Sequence, residues 1–438
     1  MLRGKTVRLS VAIFIGASFL GSFRSAALGG RLDGAALHSL SSLEEMARGK
    51  IKITPHVALA EGLSAAEVPN ADPLGGERVP NYIRALAQHT KAAPQFAHLV
   101  RTVLYGGSLS PETKMAIVLR VAQVYGSAYT AAHAQRWLRA SESGRGLLAA
   151  LKGGAEESLP SADSLALRYA ELLTRDIHGV SDSDFQRVRA HYNDSQIVEL
   201  TMTVCFANYF VRLNEALNLP VEAWAFELTA NVQPAGLRES PSARVALISD
   251  EEMEATRAAL AASRSPQPGG LGLGIANSQR AMLRVPALAK AWREYGMSVR
   301  NGAAISRELQ LHISFAVSMA NGCRYCTLHQ VLGLKRLGVD PKKLLAMRKD
   351  DSALTKSELA AVSFARKLTR MATVTDEDFA LLKAEFGERG AVEVALQTCA
   401  FAFMNRFTDG LRLPSEDEAI RAYQEIYGAG AMARDWNW

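Results

Sequence analysis

Asn321-Gly322-Cys323-Arg324-Tyr325-Cys326-Thr327-Leu328-His329-Gln330 sets two thiols one helical turn apart and an imidazole one turn further on. Cys326 and His329 lie three apart, so on a helix they share a face. A Cys-x-x-Cys pair can close a small disulfide, and a neighbouring imidazole can take the thiol proton and favour the nucleophilic thiolate. Upstream, Ile313-Ser314-Phe315-Ala316-Val317-Ser318-Met319-Ala320 reads as a buried helix leading into the pair. The helical pattern continues outward. Val79 to Leu86 opens a helix, and Pro94 to Leu104 places Phe96, Leu99, Val100 and Val103 at helical spacing. Ser110-Pro111-Glu112 is a start signal, with Ser as N-cap and Pro at the first helical position, and it launches Met115 to Val124. Strand signals are almost absent, so the expected fold class is all-α.

The chain repeats itself. Ser181-Asp182-Ser183-Asp184-Phe185 is echoed by Thr375-Asp376-Glu377-Asp378-Phe379. Cys205 and Cys399 stand 194 positions apart, as do Pro220 and Pro414 of two Leu-Pro pairs. Ser127 and Cys323, His133 and His329, and Glu112 and Glu308 are each 196 apart. A period this long means a duplicated domain, not a solenoid. Ser127 and Thr130 stand where Cys323 and Cys326 stand, while Tyr129 and His133 persist. Hydroxyls cannot cycle through a disulfide, so the first copy reads as redox-silent and as a builder of the interface. A residual pocket around Tyr129 and His133 is the sharper alternative.

An apolar helix, Asn-Gly, Cys-x-Tyr-Cys and a His in that order resemble the core motif of the AhpD-like and carboxymuconolactone decarboxylase superfamily. The resemblance covers residues 79–230 and 245–425. It implies two tandem AhpD-like helical bundles packed as a pseudo-dimer, and further homo-oligomerisation. It also implies thiol-dependent oxidoreduction resembling alkylhydroperoxidase in the second domain, with a hydroperoxide or other small molecule as substrate, a thiol or dithiol as reductant, and no cofactor. Cys326 would attack and Cys323 resolve, whereas the helix dipole favours the cysteine nearer the N-terminus as the thiolate. Two departures from the family pattern stand out. The usual Glu twelve residues before the first Cys is Leu311 here, and Met115 in the first copy. Glu308, with His312 four residues on along the same face, is the candidate replacement; the bland reading of Glu308 is a first-turn acid favoured by the dipole. The usual His seven after the first Cys is Gln330, and His329 falls six after it, a rotation of about 100° on a helix.

The candidate catalytic residues are therefore Cys326, Cys323, His329 and Glu308, with Tyr325 and His312 as binding residues and no metal. Zinc and inert core packing compete for the thiols. Structural zinc wants four ligands, and no second Cys/His cluster appears in the sequence. Cys205 and Cys399 sit in matched apolar helices and read as core. Arg212 and Arg406, also 194 apart, suit a salt bridge at a surface or interface, or an anchor for a carboxylate. A decarboxylase-like lyase would need acid–base residues and a carboxylate pocket instead of thiols. A non-catalytic scaffold or ligand-binding module is the remaining reading.

Composition narrows the class. Hydrophobic residues make up 48% and charged residues 21% of 438, a globular balance that argues against disorder. The net charge of +6 comes largely from Arg3, Lys5, Arg8 and Arg24, in a stretch without acids; a chain otherwise near neutrality does not suggest nucleic-acid binding. Those residues flank the apolar run Val11 to Phe23, followed by Ser25-Ala26-Ala27, the pattern of a signal peptide over 1–30; export to the periplasm or outside is the expectation if the leader is cleaved, and a cytoplasmic protein otherwise. The remaining divisions are an extension (31–78), the first domain (79–240), a connecting segment (241–274), the thiol domain (275–425) and a tail (426–438). Pro266, Pro268 and the glycines after them mark the connector. Their spacing does not make a phosphate loop.

Overall fold

The structure, a computed structural model, describes residues 35–153, 155, 158–227 and 276–432. The signal peptide, the connector and Trp436 and Trp438 of the tail lie outside these residues. Among the described residues there are seventeen α-helices and no strand. The first half holds α1 (Leu40–Gly49), α2 (Asn81–His89), α3 (Ala93–Tyr105), α4 (Pro111–Tyr125), α5 (Ala128–Arg139), α6 (Glu142–Lys152), α7 (Ser161–Arg175), α8 (Asp182–His191) and α9 (Asp194–Ala216). The second holds α10 (Asn277–Met282), α11 (Pro286–Arg300), α12 (Arg307–Asn321), α13 (Arg324–Arg336), α14 (Pro341–Lys349), α15 (Lys356–Met371), α16 (Asp376–Gly410) and α17 (Asp417–Tyr427). Gly387 breaks the helical path inside α16 with φ 66° and ψ 178°, so its two segments correspond to α8 and α9.

Local signals fix the repeated unit. Ser110 and Ser306 start α4 and α12, their side chains accepting from the backbone N–H of Thr113 and Leu309. Gly126 and Gly322 stop them in the left-handed region, at φ 70° and 73°, where a side chain would be strained. The chain then turns straight into α5 or α13, so in the second half the stop signal places Cys323 at the N-cap of the next helix. Buried carboxylates hold the loop before each unit. Glu199 accepts from the N–H of Ser108 and Leu109 at 2.7 and 3.1 Å, and Glu393 from Ala304 and Ile305 at 2.8 and 3.1 Å.

The halves share one apolar core. Trp292 of α11 stacks on Phe403 of α16 at 3.8 Å, and the hydroxyls of Tyr209 and Tyr295 hydrogen-bond across the seam. Arg212 and Arg406 are both buried there and both donate to the Tyr125 hydroxyl, at 2.8 and 3.1 Å. Arg212 also reaches the Thr369 carbonyl of the other half. These arginines tie the halves together through hydrogen bonds and do not pair with carboxylates among the described residues. Cys205 and Cys399 are fully buried, and burial pushes both thiols up, Cys399 to about 12. The extension, to which sequence patterning assigned no firm structure, contributes α1. Ser39 caps it, and Leu40, Leu43 and Ala47 enter the first-half core.

Candidate active site

Cys323 caps the N-terminus of α13, and its Sγ accepts the backbone N–H of Cys326 at 3.3 Å. That dipole favours a thiolate. Burial acts the other way and holds the Cys323 thiol well above its usual range, with the neighbouring Cys326 thiol adding to the effect. Both sulfurs stand 3.4 Å from one atom, the Thr408 hydroxyl oxygen on α16. Asp409 follows it on α16, close enough that its carboxyl acts electrostatically on the Cys323 thiol. Burial raises this carboxyl to about 7, and its Oδ2 has no hydrogen bond among the described residues. A carboxyl that titrates near neutrality beside a thiol is suited to taking its proton.

One turn along α13 lies a second polar set. His329 Nδ1 donates to the Tyr325 carbonyl at 2.7 Å, and its Nε2 is 2.6 Å from Glu416 Oε2. The Tyr325 hydroxyl and the Asn277 N–H donate to Glu416 Oε1 at 3.1 and 2.6 Å, and the Tyr325 and His329 rings stack at 4.2 Å. Burial alone would raise Glu416; the hydrogen bonds from His329 and Asn277 outweigh it and hold the carboxyl down at about 2.

A cleft of about 840 Å³ opens beside this set. Arg324, Tyr325, Asp409, Arg412, Leu413 and Ile420 line it from the second half, and Ile177, His178, Asp182 and Phe185 from the first. Ile177 packs directly on Cys323, Tyr325 and Cys326. His178 borders the turn before Cys323, where a Cβ on Gly322 would stand 3.5 Å from its Nε2. The silent copy thus walls the thiol site of the other.

Of the residues singled out in the sequence, Cys323, Cys326, Tyr325 and His329 come together. Glu308 and His312 do not join them. They occupy the opposite end of α12, about 22 and 16 Å from Cys323 along the helix axis. There His312 Nδ1 is 3.4 Å from Glu358 and its Nε2 3.5 Å from Glu308, while the Lys343 ammonium bonds both carboxylates at 2.7 and 2.8 Å. Burial, helped by Lys343, lowers His312. The donor atoms of Glu308, His312 and Glu358 lie within 4.8 Å of one another, a spacing that suits a metal, but the lysine already serves as their cation. Thr408, Asp409 and Glu416 were missed. The repeat carried a signal for two of them: Glu215 and Asp409, and Glu222 and Glu416, stand 194 apart.

Fold and site together define a duplicated all-α protein with one dithiol-bearing half and one without thiols. Residues 286–367 match the carboxymuconolactone decarboxylase family. Two solved structures of the debrominase Bmp8 are similar to part of the chain. A cysteine-to-alanine variant in complex with 2,3,4-tribromopyrrole is 26% identical, covering 36% of this chain and 84% of that one at a TM-score of 0.34. The apo protein is 26% identical, covering 34% and 83% at 0.32. At such TM-scores the likeness decides nothing about fold or activity. No curated protein matches the chain.

Proposed function

We propose that this protein is a thiol-dependent oxidoreductase resembling alkylhydroperoxidase, with Cys323 and Cys326 as its redox pair. The observation that carries this reading is the convergence of both sulfurs on the Thr408 hydroxyl, 3.4 Å from each, beside a cleft. The Cys326 thiolate attacks the terminal oxygen of a hydroperoxide; the O–O bond breaks, the alkoxide leaves with a proton, and Cys326 becomes a sulfenic acid. Cys323 gives its proton to Asp409 and attacks the sulfenic sulfur; the S–O bond breaks, the leaving hydroxide takes that proton from Asp409 and departs as water, and the disulfide forms. A dithiol reductant returns the two electrons. His329, one turn from Cys326 and held by Glu416, supplies the proton to the alkoxide. The usual family Glu is replaced in this scheme by Asp409, not by Glu308. Export through the N-terminal leader would place the pair in an oxidising compartment, where it rests as a disulfide.

The test is a thiol–disulfide titration of the intact protein with Cys323→Ser and Cys326→Ser as controls, followed by peroxide consumption with a dithiol reductant. A reversible two-electron couple lost in either variant supports the reading; thiols that never pair sink it. A lyase is the second reading, favoured by the Tyr-His-Glu set that the first half repeats without thiols. Turnover of a lactone acid that survives replacement of both cysteines would establish it.

A further inference from the structure

We infer that the cleft beside the thiols takes an amphipathic organic carboxylate, its acid group paired with Arg324 and its apolar body against a wall supplied by the first half. This deepens the proposed function by naming a substrate class; it rests on that reading for the reaction, though not for binding.

The charges of the cleft are nearly all committed. Arg412 pairs with Asp182 across the two halves and donates to the Val180 carbonyl at 3.4 Å. Asp409, kept largely protonated up to neutrality by its burial, adds little negative charge. Arg324 remains. It is exposed on the cleft and makes no ion pair among the described residues. A guanidinium so placed offers a planar fork that fits a carboxylate through two parallel hydrogen bonds. It also stands between Cys323 and Cys326 in sequence, at the start of α13, so a ligand anchored there lies beside the thiols. The repeat shows that this charge is particular to the second half. Its counterpart at an offset of 196 is Ala128, which is fully buried.

Part of the wall is apolar. Ile177 and Phe185 from the first half face Leu413 and Ile420 from the second. A cleft of about 840 Å³ is within the range of sites for drug-sized ligands and far larger than hydrogen peroxide requires. An acid with an alkyl chain of medium length uses both the charge and the apolar wall. A hydroperoxide of such an acid would then be the oxidising substrate.

Calorimetric titration of the intact, reduced protein with octanoate and with 1-octanol separates the two contributions without needing turnover. Octanoate should bind about ten-fold more tightly than octanol, the scale of one charge-assisted bidentate pair. Arg324→Met should remove that preference, and Phe185→Ala should weaken both ligands together. Equal affinities in the wild type, or a preference that survives Arg324→Met, would overturn the inference. Turnover is then compared between a fatty-acid hydroperoxide and its methyl ester. Arg324-dependent octanoate binding without disulfide formation from either peroxide would leave the anion site standing and remove the thiol reading. Turnover of acid and ester at equal kcat/KM would do the reverse.

Discussion

The same constellation is built twice in this chain, and the two copies differ in what surrounds it. In the first half Tyr129 and His133 hold Glu222 at 2.9 Å each, and the Asn81 N–H completes the carboxylate's shell; Tyr325, His329, Glu416 and Asn277 repeat the arrangement. Ser127 donates to Glu215 at 2.7 Å and lies 3.0 Å from the Thr130 hydroxyl, and Lys50 of the extension neutralises Glu215. In the second half thiols replace the hydroxyls, and Asp409 faces Cys323 with no ion pair among the described residues. The turns differ too. His38 of the extension crowds Gly126, where a Cβ would come within 2.8 Å of its ring, whereas a Cβ on Gly322 would stand 3.5 Å from His178. The Tyr-His-Glu set is therefore common architecture that clamps a loop onto a helix. On the proposed function, chemistry is added where the thiols, a buried carboxyl without an ion pair among the described residues and an opening coincide.

The largest expected effect tests that division directly. Cys326→Ser or Cys323→Ser should abolish the reversible thiol–disulfide couple entirely, since neither hydroxyl can be oxidised to a bridge. Ser127→Cys with Thr130→Cys in the first half should install a pair in similar geometry yet give thiols that react slowly with a bulky aromatic disulfide reagent. Ser127 and Thr130 are 1% and 0% exposed and Cys323 and Cys326 0% and 3%, so the expected difference in rate rests on the cleft beside the second pair. Fast labelling of both new thiols would mean that the silent copy is open.

The shared set should be more costly to break where it is closed. The His133 and Glu222 side chains are 0% and 7% exposed, against 11% and 23% for His329 and Glu416. Glu222→Ala strands a buried imidazole, a phenol and a backbone N–H, and should lower stability by about 3–5 kcal/mol in denaturant unfolding. Glu416→Ala, whose stranded partners are nearer water, should cost about 1–3 kcal/mol. The Glu416 contribution is present above the ordinary carboxylate range and is lost as pH falls through about 2. Equal losses in the two variants would remove the distinction between a closed copy and an open one.

Asp409 sharpens the comparison with Glu215. Its raised pKa means that between the ordinary carboxylate range and about 7 the folded protein holds a proton the unfolded chain has released. Stability therefore falls as pH rises through that window, and Asp409→Asn should flatten the slope and give a more stable protein above pH 7. The same substitution should slow disulfide closure by about 10- to 100-fold and erase an inflection near pH 7 in its rate, measured by stopped-flow after peroxide addition. A variant that keeps the inflection would assign it to another group.

Most of this was legible where the signals are local. Ser110, Ser306, Gly126 and Gly322 delimit their helices from within a few residues, and the 194- and 196-residue offsets announced the duplication. Cys323, Tyr325, Cys326 and His329 lie within one short stretch, so their proximity needed only helix geometry. Thr408 and Glu416 reach that stretch from 85 and 91 residues away, through packing that no local pattern encodes. Ile177 and His178 come from the other copy altogether. Helix α1 was missed because its ten residues, bounded by a serine cap and a glycine, are held by the core they join rather than by their own propensity.

Glu308 provides the smallest expected effect and the finest test. Its side chain shares a helix face with His312, which drew it into the candidate relay, but it lies about 22 Å along α12 from Cys323. The half-exposed carboxylate bonds Lys343, which keeps Glu358 as a second partner. Glu308→Gln therefore removes one of two acceptors from a partly solvated ammonium, and about 1 kcal/mol or less of stability should be lost. Disulfide closure should stay within about two-fold of wild type, because a screened charge at that distance exerts little force on a thiol. A loss as large as that of Asp409→Asn would instead require a proton path running the length of α12. The buried hydroxyls along that route, Ser314 and Ser318, are already hydrogen-bonded to helix carbonyls and to Gln397 and Asn405.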